Sequence, residues 1–364
     1  MIDNNFYKGK KVFITGHTGF KGTWLAKILL GEGAIVKGYS LEAEDGSLFQ
    51  KISLDKKMQS IIGDIRNFEL LQKEFTEFEP DIVFHLAAQP IVRESYKNPV
   101  YTYETNVMGT VNILECIRNS KSVKSFVNVT TDKVYENIEH NVEAEKQYQT
   151  QNEKYFKEDD KLNGRDPYSN SKSCSELVTS SYKQSFFEDR DIGISTVRAG
   201  NVIGGGDNAK DRIIPDCVRA AKKNEEILIR NPYSIRPYQH VLDALFAYLM
   251  VAQKQYENNQ YSGNYNIGPN EEDIIQTKDL VDIFCKYWGD NITWINKLDN
   301  GPYESKILKL DCTKIKETFE WNPIWNIEKA VEKVVEFEKA NNSNFESCME
   351  KQIKEYQMNM NSNI

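Results

Sequence analysis

No run of apolar residues in this chain is long enough to cross a bilayer as a helix, and the opening Met1-Ile-Asp-Asn-Asn5 lacks the charged-then-apolar order of a secretion signal. A cytoplasmic protein with no membrane partner is therefore expected. Positive charge is in deficit: 46 Lys and Arg stand against 54 Asp and Glu, a net of −8. That balance argues against a nucleic-acid partner, because neutralising a phosphate backbone takes a basic surface. The six cysteines show no CxxC spacing, so neither a metal site nor a disulfide frame is expected, and they read as reduced, mostly buried thiols. Internal repeats are absent as well. Apolar content is plentiful, 40% of 364 residues, enough for two domains or for one large domain carrying a lobe.

Through the first two hundred residues, short β-branched runs alternate with helical stretches. The runs are Lys11–Thr15, Ala34–Tyr39, Asp81–Ala87, Ser125–Thr130 and Ile194–Ala199, and the helical stretches include Thr105–Ile117 and Tyr168–Phe186. Near-continuous apolar strands separated by helices predict a parallel sheet covered on both faces, with ligands at the carboxyl ends of its strands. Past residue 200 the pattern turns mixed. The division expected is a dinucleotide-binding domain of residues 1–200 plus about 232–262, a ligand-closing lobe of about 201–231 plus 263–345, and a surface helix with a frayed tail over 346–364. The fold class is thus α/β, a Rossmann-type doubly wound parallel sheet with a smaller mixed α/β C-terminal lobe.

The run Lys11–Thr15 breaks into Gly16-His17-Thr18-Gly19-Phe20-Lys21-Gly22 and then into a segment with Trp24, Leu25, Ile28 and Leu29 at helical spacing. Strand, glycine turn, helix is the context of a dinucleotide site: glycines permit the tight turn, and the helix N-terminus offers free N–H groups to a pyrophosphate. About twenty residues on, Ser40 stands where an acid would bind a ribose 2′-OH and an arginine would accept a 2′-phosphate, which favours NAD over NADP. Asp64 and Ile65 close the third strand, where the carboxylate is placed to meet the adenine amino group or simply to form a turn.

The most informative fragment is Thr131-Asp132-Lys133, together with Tyr168-Ser-Asn-Ser-Lys172. A hydroxyl, a phenol and a lysine suffice for a reductase. An adjacent acid and amine add a second set of proton-transfer groups, as an enzyme needs if it also eliminates water from a sugar.

These residues, with His85-Leu86-Ala87-Ala88-Gln89-Pro90, Thr105-Asn106-Val-Met-Gly-Thr110, Arg198-Ala-Gly-Asn201 and Arg236-Pro-Tyr-Gln-His240, resemble the extended short-chain dehydrogenase/reductases and, among them, the CDP-glucose 4,6-dehydratase family. The likeness runs from about Tyr7 to Lys339. It implies NAD as cofactor, held by Gly16 to Gly22, Ser40, Asp64, Ile65, Leu86 to Gln89, Asn106, Val129, Tyr168 and Lys172. It also implies that Tyr168, its phenol acidified by Lys172 and the nicotinamide charge, removes the sugar 4-OH proton while Thr131 holds that oxygen. Lys133 would then take the C5 proton and Asp132 would protonate the departing 6-hydroxyl, with the two roles open to exchange. The nucleotide-sugar partner would meet Arg93, Ser95, Asn201, Arg212, Arg236 and His240, and His17 would approach the cofactor phosphates. A homodimer is expected, partly from the resemblance and partly from apolar residues on second faces of the two long helices (Val107, Ile113, Leu114, Leu177, Val178, Tyr182). Two other functions stay open at this point: a nucleotide-hexose 4-epimerase, which has no use for Asp132 and Lys133, and a non-catalytic NAD-binding regulator. One departure from the family concerns specificity. Residues 138–161 form a long, charged stretch where the family has a shorter, tryptophan-containing loop.

Overall fold

The computed structural model describes residues 5–137, 155–297, 307–340 and 344–362. Seven parallel strands form its main sheet: β1 (Lys11–Thr15), β2 (Ile35–Ser40), β3 (Gln59–Ile62), β4 (Ile82–His85), β5 (Ser125–Val129), β6 (Gly193–Ala199) and β11 (Asn264–Ile267), in the order β3-β2-β1-β4-β5-β6-β11. The order reverses between β1 and β4, and it is there that an open α/β sheet leaves a crevice for a ligand.

Strand alternation sorts the core into two layers. Val12, Ile14, Ile82, Phe84, Val127, Val129, Val197 and Ala199 join one apolar cluster, while Phe13, Val83, Phe126 and Ile194 join another. Successive side chains leave a strand on opposite faces, so strands this apolar need helices on both sides. Helices α1 (Phe20–Gly31) and α6 (Val241–Glu257) cover the first face; α2 (Phe68–Phe78) and α3 (Gly109–Arg118) cover the second, with α4 (Pro167–Phe186) packed beside α3. Fourteen of the seventeen residues of α6 are buried, which explains why that stretch is apolar all round.

A third cluster joins α5 (Ile213–Lys222), α7 (Thr277–Trp288) and α8 (Ile327–Lys339) to the strand β8 (Ile227–Ile229). Small ribbons accompany it: β7 (Asn201–Ile203) with β10 (Tyr238–His240), β9 (Ile235–Arg236) with β12 (Ile275–Gln276), and β8 with β13 (Trp294–Asn296).

Two expectations change here. The stretch 263–345 is expected in the lobe, but within it Asn264–Ile267 pairs in parallel with β6 and forms an edge of the main sheet. Its four-residue run carried no signal of which sheet it would join. The C-terminal helix is also more than a surface element, residues 363–364 lying outside the described residues. In α9 (Phe345–Ser362), Phe345, Met349, Ile353 and Tyr356 are buried in the same cluster as α1 and α6, and the Tyr356 phenol donates to Asp243 at 2.7 Å. Of the unusual stretch 138–161, residues 138–154 lie outside the described residues, while Phe156 stacks on Tyr135 with ring centroids 5.0 Å apart.

Candidate active site

The glycine turn at the end of β1 is as tight as its sequence implies. Gly16 has φ +79°, and a Cβ there would lie 2.8 Å from the Ala87 amide nitrogen; one on Gly22 would lie 2.1 Å from the Gly16 carbonyl oxygen. Only glycine lets β1, the β4 end at Leu86–Ala87 and α1 approach this closely. Gly19 caps α1 without a side-chain hydrogen bond, so the first-turn N–H groups remain available to an anion. The cradle therefore fits a dinucleotide pyrophosphate. Phe20 and Lys21, from the same turn, line the large cavity above the sheet.

Around this turn the predicted cofactor residues take different parts. Thr18 shares a 2.8 Å hydrogen bond with Ser40 and donates to the Leu41 carbonyl. Asn106 accepts from the Gln89 amide at 2.8 Å and donates to Ser171 on α4 at 2.8 Å, while Val129 accepts from the Lys172 amine at 3.0 Å. Ile65 is buried, touching the position of Gly109. His17 is a correction: its ring turns inward, bonded through Nε2 to Ser60 at 2.7 Å and packed where a Cβ on Gly38 would lie. Burial lowers its pKa to about 4, so it is a neutral packing residue and offers no charge to a phosphate. Asp64 accepts from the Arg66 guanidinium on both carboxylate oxygens.

The catalytic candidates gather at the carboxyl ends of β5 and β6. Thr131, Asp132, Lys133 and Tyr168 all line the cavity. Thr131 caps the short turn Asp132–Val134 by accepting from the Lys133 amide and donates its hydroxyl to Asp132 at 2.9 Å. Asp132 is 1% exposed and its second oxygen meets no donor among the described residues. Burial raises its pKa, against the opposing pull of Lys133. Tyr168 opens α4 behind the N-cap Asp166 and Pro167. Burial pushes the Tyr168 phenol up to about 12, with Thr131 and Arg212 pulling it the other way. Lys172 itself is lowered to about 8 by burial, a fall that Glu176 opposes.

Among the substrate candidates, Arg93, Asn201, Arg212 and Arg236 line the cavity. Arg212 donates to Asp207 at 3.0 Å, and Arg93 approaches Asp211 at 4.0 Å. Two others do not reach it. Ser95 is buried, donating to the Val92 carbonyl and accepting the Tyr168 amide at 3.1 Å, so it braces the start of α4. His240 is fully buried against Trp325 and accepts the Leu242 amide, capping α6. Sequence spacing shows that a residue is near the site, not which way its side chain leaves the backbone.

Lys21, read from sequence as part of the glycine turn, faces the cavity. Burial together with the charges of Arg212 and Lys172 brings its amine down to about 7. Asp207 and the buried Glu176–Arg198 pair were not anticipated at all. A guanidinium inside the otherwise uncharged strand Ile194–Ala199, and a carboxylate four residues beyond Lys172, were the available signals.

Comparison with known proteins follows this geometry. Residues 13–334 match the family model described as GDP-mannose 4,6 dehydratase. The chain belongs to that family. It is 46% identical to the CDP-glucose 4,6-dehydratase of Salmonella typhimurium, with 98% of each chain covered. It is 30% identical to the dTDP-D-glucose 4,6-dehydratase of Dictyostelium discoideum over 72% of this chain and 59% of that one. The same fold recurs in the dTDP-glucose 4,6-dehydratase of Bacillus anthracis solved with NAD, at TM-score 0.74 and 21% identity over 93% of this chain and all of that one. It recurs again in the Thermus thermophilus UDP-glucose 4-epimerase, at TM-score 0.77 and 22% identity over 91% and 99%.

Proposed function

We propose that this chain is an NAD-dependent lyase that converts CDP-glucose to CDP-4-keto-6-deoxyglucose. The observation that carries the reading is Asp132: a buried acid with one oxygen unclaimed among the described residues, in a cavity it shares with Thr131 and Tyr168. An oxidoreductase alone has no need of it, whereas an elimination needs an acid for the departing hydroxyl. Full-length likeness to a CDP-glucose 4,6-dehydratase supports the substrate.

Bound NAD would supply a hydride acceptor for C4 and a donor for C6, so the cycle ends with no net oxidation. Gly16, Gly19 and the N-terminus of α1 would hold its pyrophosphate, with Ser40 near the adenosine ribose. Tyr168 takes the 4-OH proton; its phenol sits high in the absence of ligand, so the neighbouring Lys172 and a bound positive charge must bring it down. Thr131 holds the sugar O4 through its hydroxyl. A ketone at C4 acidifies C5, Lys133 removes that proton, and Asp132 hands its own to the 6-hydroxyl as it leaves as water. Arg212 and Arg236 pair with the diphosphate, where guanidinium groups bind oxygens in a bidentate fork.

Incubating the purified protein with CDP-, UDP-, GDP- and dTDP-glucose tests this directly. The expected result is the alkali-developed chromophore of a 4-keto-6-deoxy sugar, strongest with CDP-glucose. Formation of the 4-epimer without loss of water would overturn it.

The working form is proposed to be a cytoplasmic homodimer. Met108, Leu177 and Phe186 are about half exposed on the turn before α3 and along α4, while Ile113 and Leu114 pack on the sheet. Exposed apolar side chains on these elements suit an isologous helix contact. All six cysteines are free, as suits a reducing compartment. A sedimentation mass of one chain, about 42.1 kDa, would exclude the dimer.

A further inference from the structure

We infer that the buried Glu176–Arg198 ion pair is a positioning clamp: it grips the Thr131-Asp132-Lys133 segment at both ends and ties it to the helix that carries Tyr168 and Lys172. The inference rests on the reading above only in taking those five residues as the reacting ones.

The helix supplies the first half of the argument. Tyr168, Lys172 and Glu176 stand four residues apart on α4, so they share one face. Glu176 is 3% exposed and Arg198, on β6, is 1% exposed. One carboxylate oxygen of Glu176 accepts from the Thr130 hydroxyl and from Arg198 Nε at 3.0 Å; the other accepts from Thr196 at 2.6 Å and from a second guanidinium nitrogen at 3.0 Å. Thr130 is the residue immediately before Thr131.

Arg198 supplies the other half. Its remaining nitrogen donates to the Tyr135 phenol at 2.9 Å and to the Glu158 carbonyl at 2.8 Å, and its guanidinium lies 5.1 Å from the Tyr135 ring centre. Tyr135 in turn donates to Asn266 on β11 at 2.5 Å. The carboxylate thus holds residue 130 and the guanidinium holds residue 135, with the reacting triplet strung between them. A buried ion pair is weak evidence of a stabilising role, because well-packed apolar residues often serve the fold as well. Here the bonds of the pair converge on the two residues that flank the chemistry, which packing alone does not require.

The carboxylate also reaches Lys172 through its field. Burial lowers the Lys172 amine to about 8 and Glu176 opposes that fall. Lys172 in turn lowers Lys21 on α1 and His85 on β4 by its charge, and Asp132 and Tyr168 line the cavity that Lys21 faces. Removing the Glu176 charge takes away a stabiliser of the ammonium, so Lys172 should lose its proton at lower pH.

The test uses the full-length enzyme with NAD and CDP-glucose, following kcat, KM and thermal midpoint, with the Lys172 titration read by NMR on labelled lysine. Tyr135→Phe is expected to fold normally and lose about tenfold in kcat with KM within about twofold, the signature of displaced reacting groups. Glu176→Gln should shift the Lys172 titration and the basic limb of kcat downward by about one pH unit, and Glu176→Asp should restore part of that shift. Should Glu176→Gln fail to fold, Thr130→Val, which removes the hydroxyl's bonds to Glu176 and the Val197 carbonyl and no charge, takes its place and should show the kcat loss alone. Wild-type kcat in Tyr135→Phe and Thr130→Val, or an unmoved Lys172 titration in folded Glu176→Gln, would overturn the clamp. If the wild-type protein forms no keto-deoxy sugar while Glu176→Gln still moves Lys172, the proposed reaction fails and the electrostatic half of the clamp stands.

Discussion

Asp132 and Glu176 are both carboxylates buried to within a few per cent, one at the carboxyl end of β5 and the other in the middle of α4. Their surroundings differ. Every oxygen of Glu176 has donors and a full positive charge beside it, whereas Asp132, among the described residues, has one hydroxyl on one oxygen and no donor on the other. Burial alone therefore does not mark a reactive acid. The mark is an unmet hydrogen bond facing a cavity, since an unsatisfied buried group costs stability that function must justify. Asp243 is a third case: fully buried, with one oxygen taken by Tyr356 and the Ile324 amide and the other unmet, but facing the core under α9 and away from the cavity.

Changing these groups one at a time breaks or sharpens the contrast. Tyr168→Phe should have the largest effect, removing the phenol that starts the cycle: a loss of about 10²–10⁴-fold in kcat with no transient reduced cofactor in stopped-flow absorbance. Asp132→Asn should follow, with a kcat loss of about 10²-fold or more yet a melting temperature unchanged or raised, because a neutral amide is easier to bury than this half-satisfied acid. A large drop in melting temperature would place Asp132 with the structural carboxylates. Lys133→Ala should block elimination but still permit C4 oxidation, visible as transient absorbance of reduced NAD; full turnover would remove Lys133 from the mechanism. Arg212→Ala should raise KM about tenfold with kcat nearly intact.

Asp243 gives the smallest expected signal, in stability rather than rate. Burial raises its pKa from 3.8 to about 7. Because the folded protein keeps this proton where the unfolded chain releases it, the contribution to stability is full below about pH 4 and is lost as pH rises through 7. The span is on the order of 4 kcal/mol. Asp243→Asn should flatten that part of the stability curve in denaturant titrations from pH 4 to 8. A slope equal to that of the unmodified protein would mean that Asp243 is not the titrating group.

Much of this molecule was legible as a string of residues. Apolar runs with β-branched residues read as strands because both faces of each must be covered, and the structure orders β1 to β6 as a doubly wound sheet. The glycine turn read correctly because a missing Cβ is a sterically unambiguous signal, and Thr131, Asp132, Lys133 and Tyr168 fell together because each lies at a strand's carboxyl end or opens the following helix. The errors share one cause. His17, Ser95 and His240 sit in motifs that border the site, yet their side chains turn into the core, where they bond Ser60, the Tyr168 amide and the Leu242 amide. Lys21 erred in the other direction, counted with a backbone turn while its amine enters the cavity.

By itself, then, the sequence determined the order of elements, the tight turn and the set of polar groups proposed to react, all of which follow from local sterics, periodicity and chemical type. Tertiary structure decided which of the buried polar residues are satisfied and which are not, which sheet the segment Asn264–Ile267 joins, and how Glu176 and Arg198, 22 residues apart, come to hold the two ends of a segment some forty to sixty residues earlier in the chain. Those outcomes depend on where side chains from distant segments meet, and hydrogen-bond satisfaction in a low-dielectric interior is a property of that meeting alone.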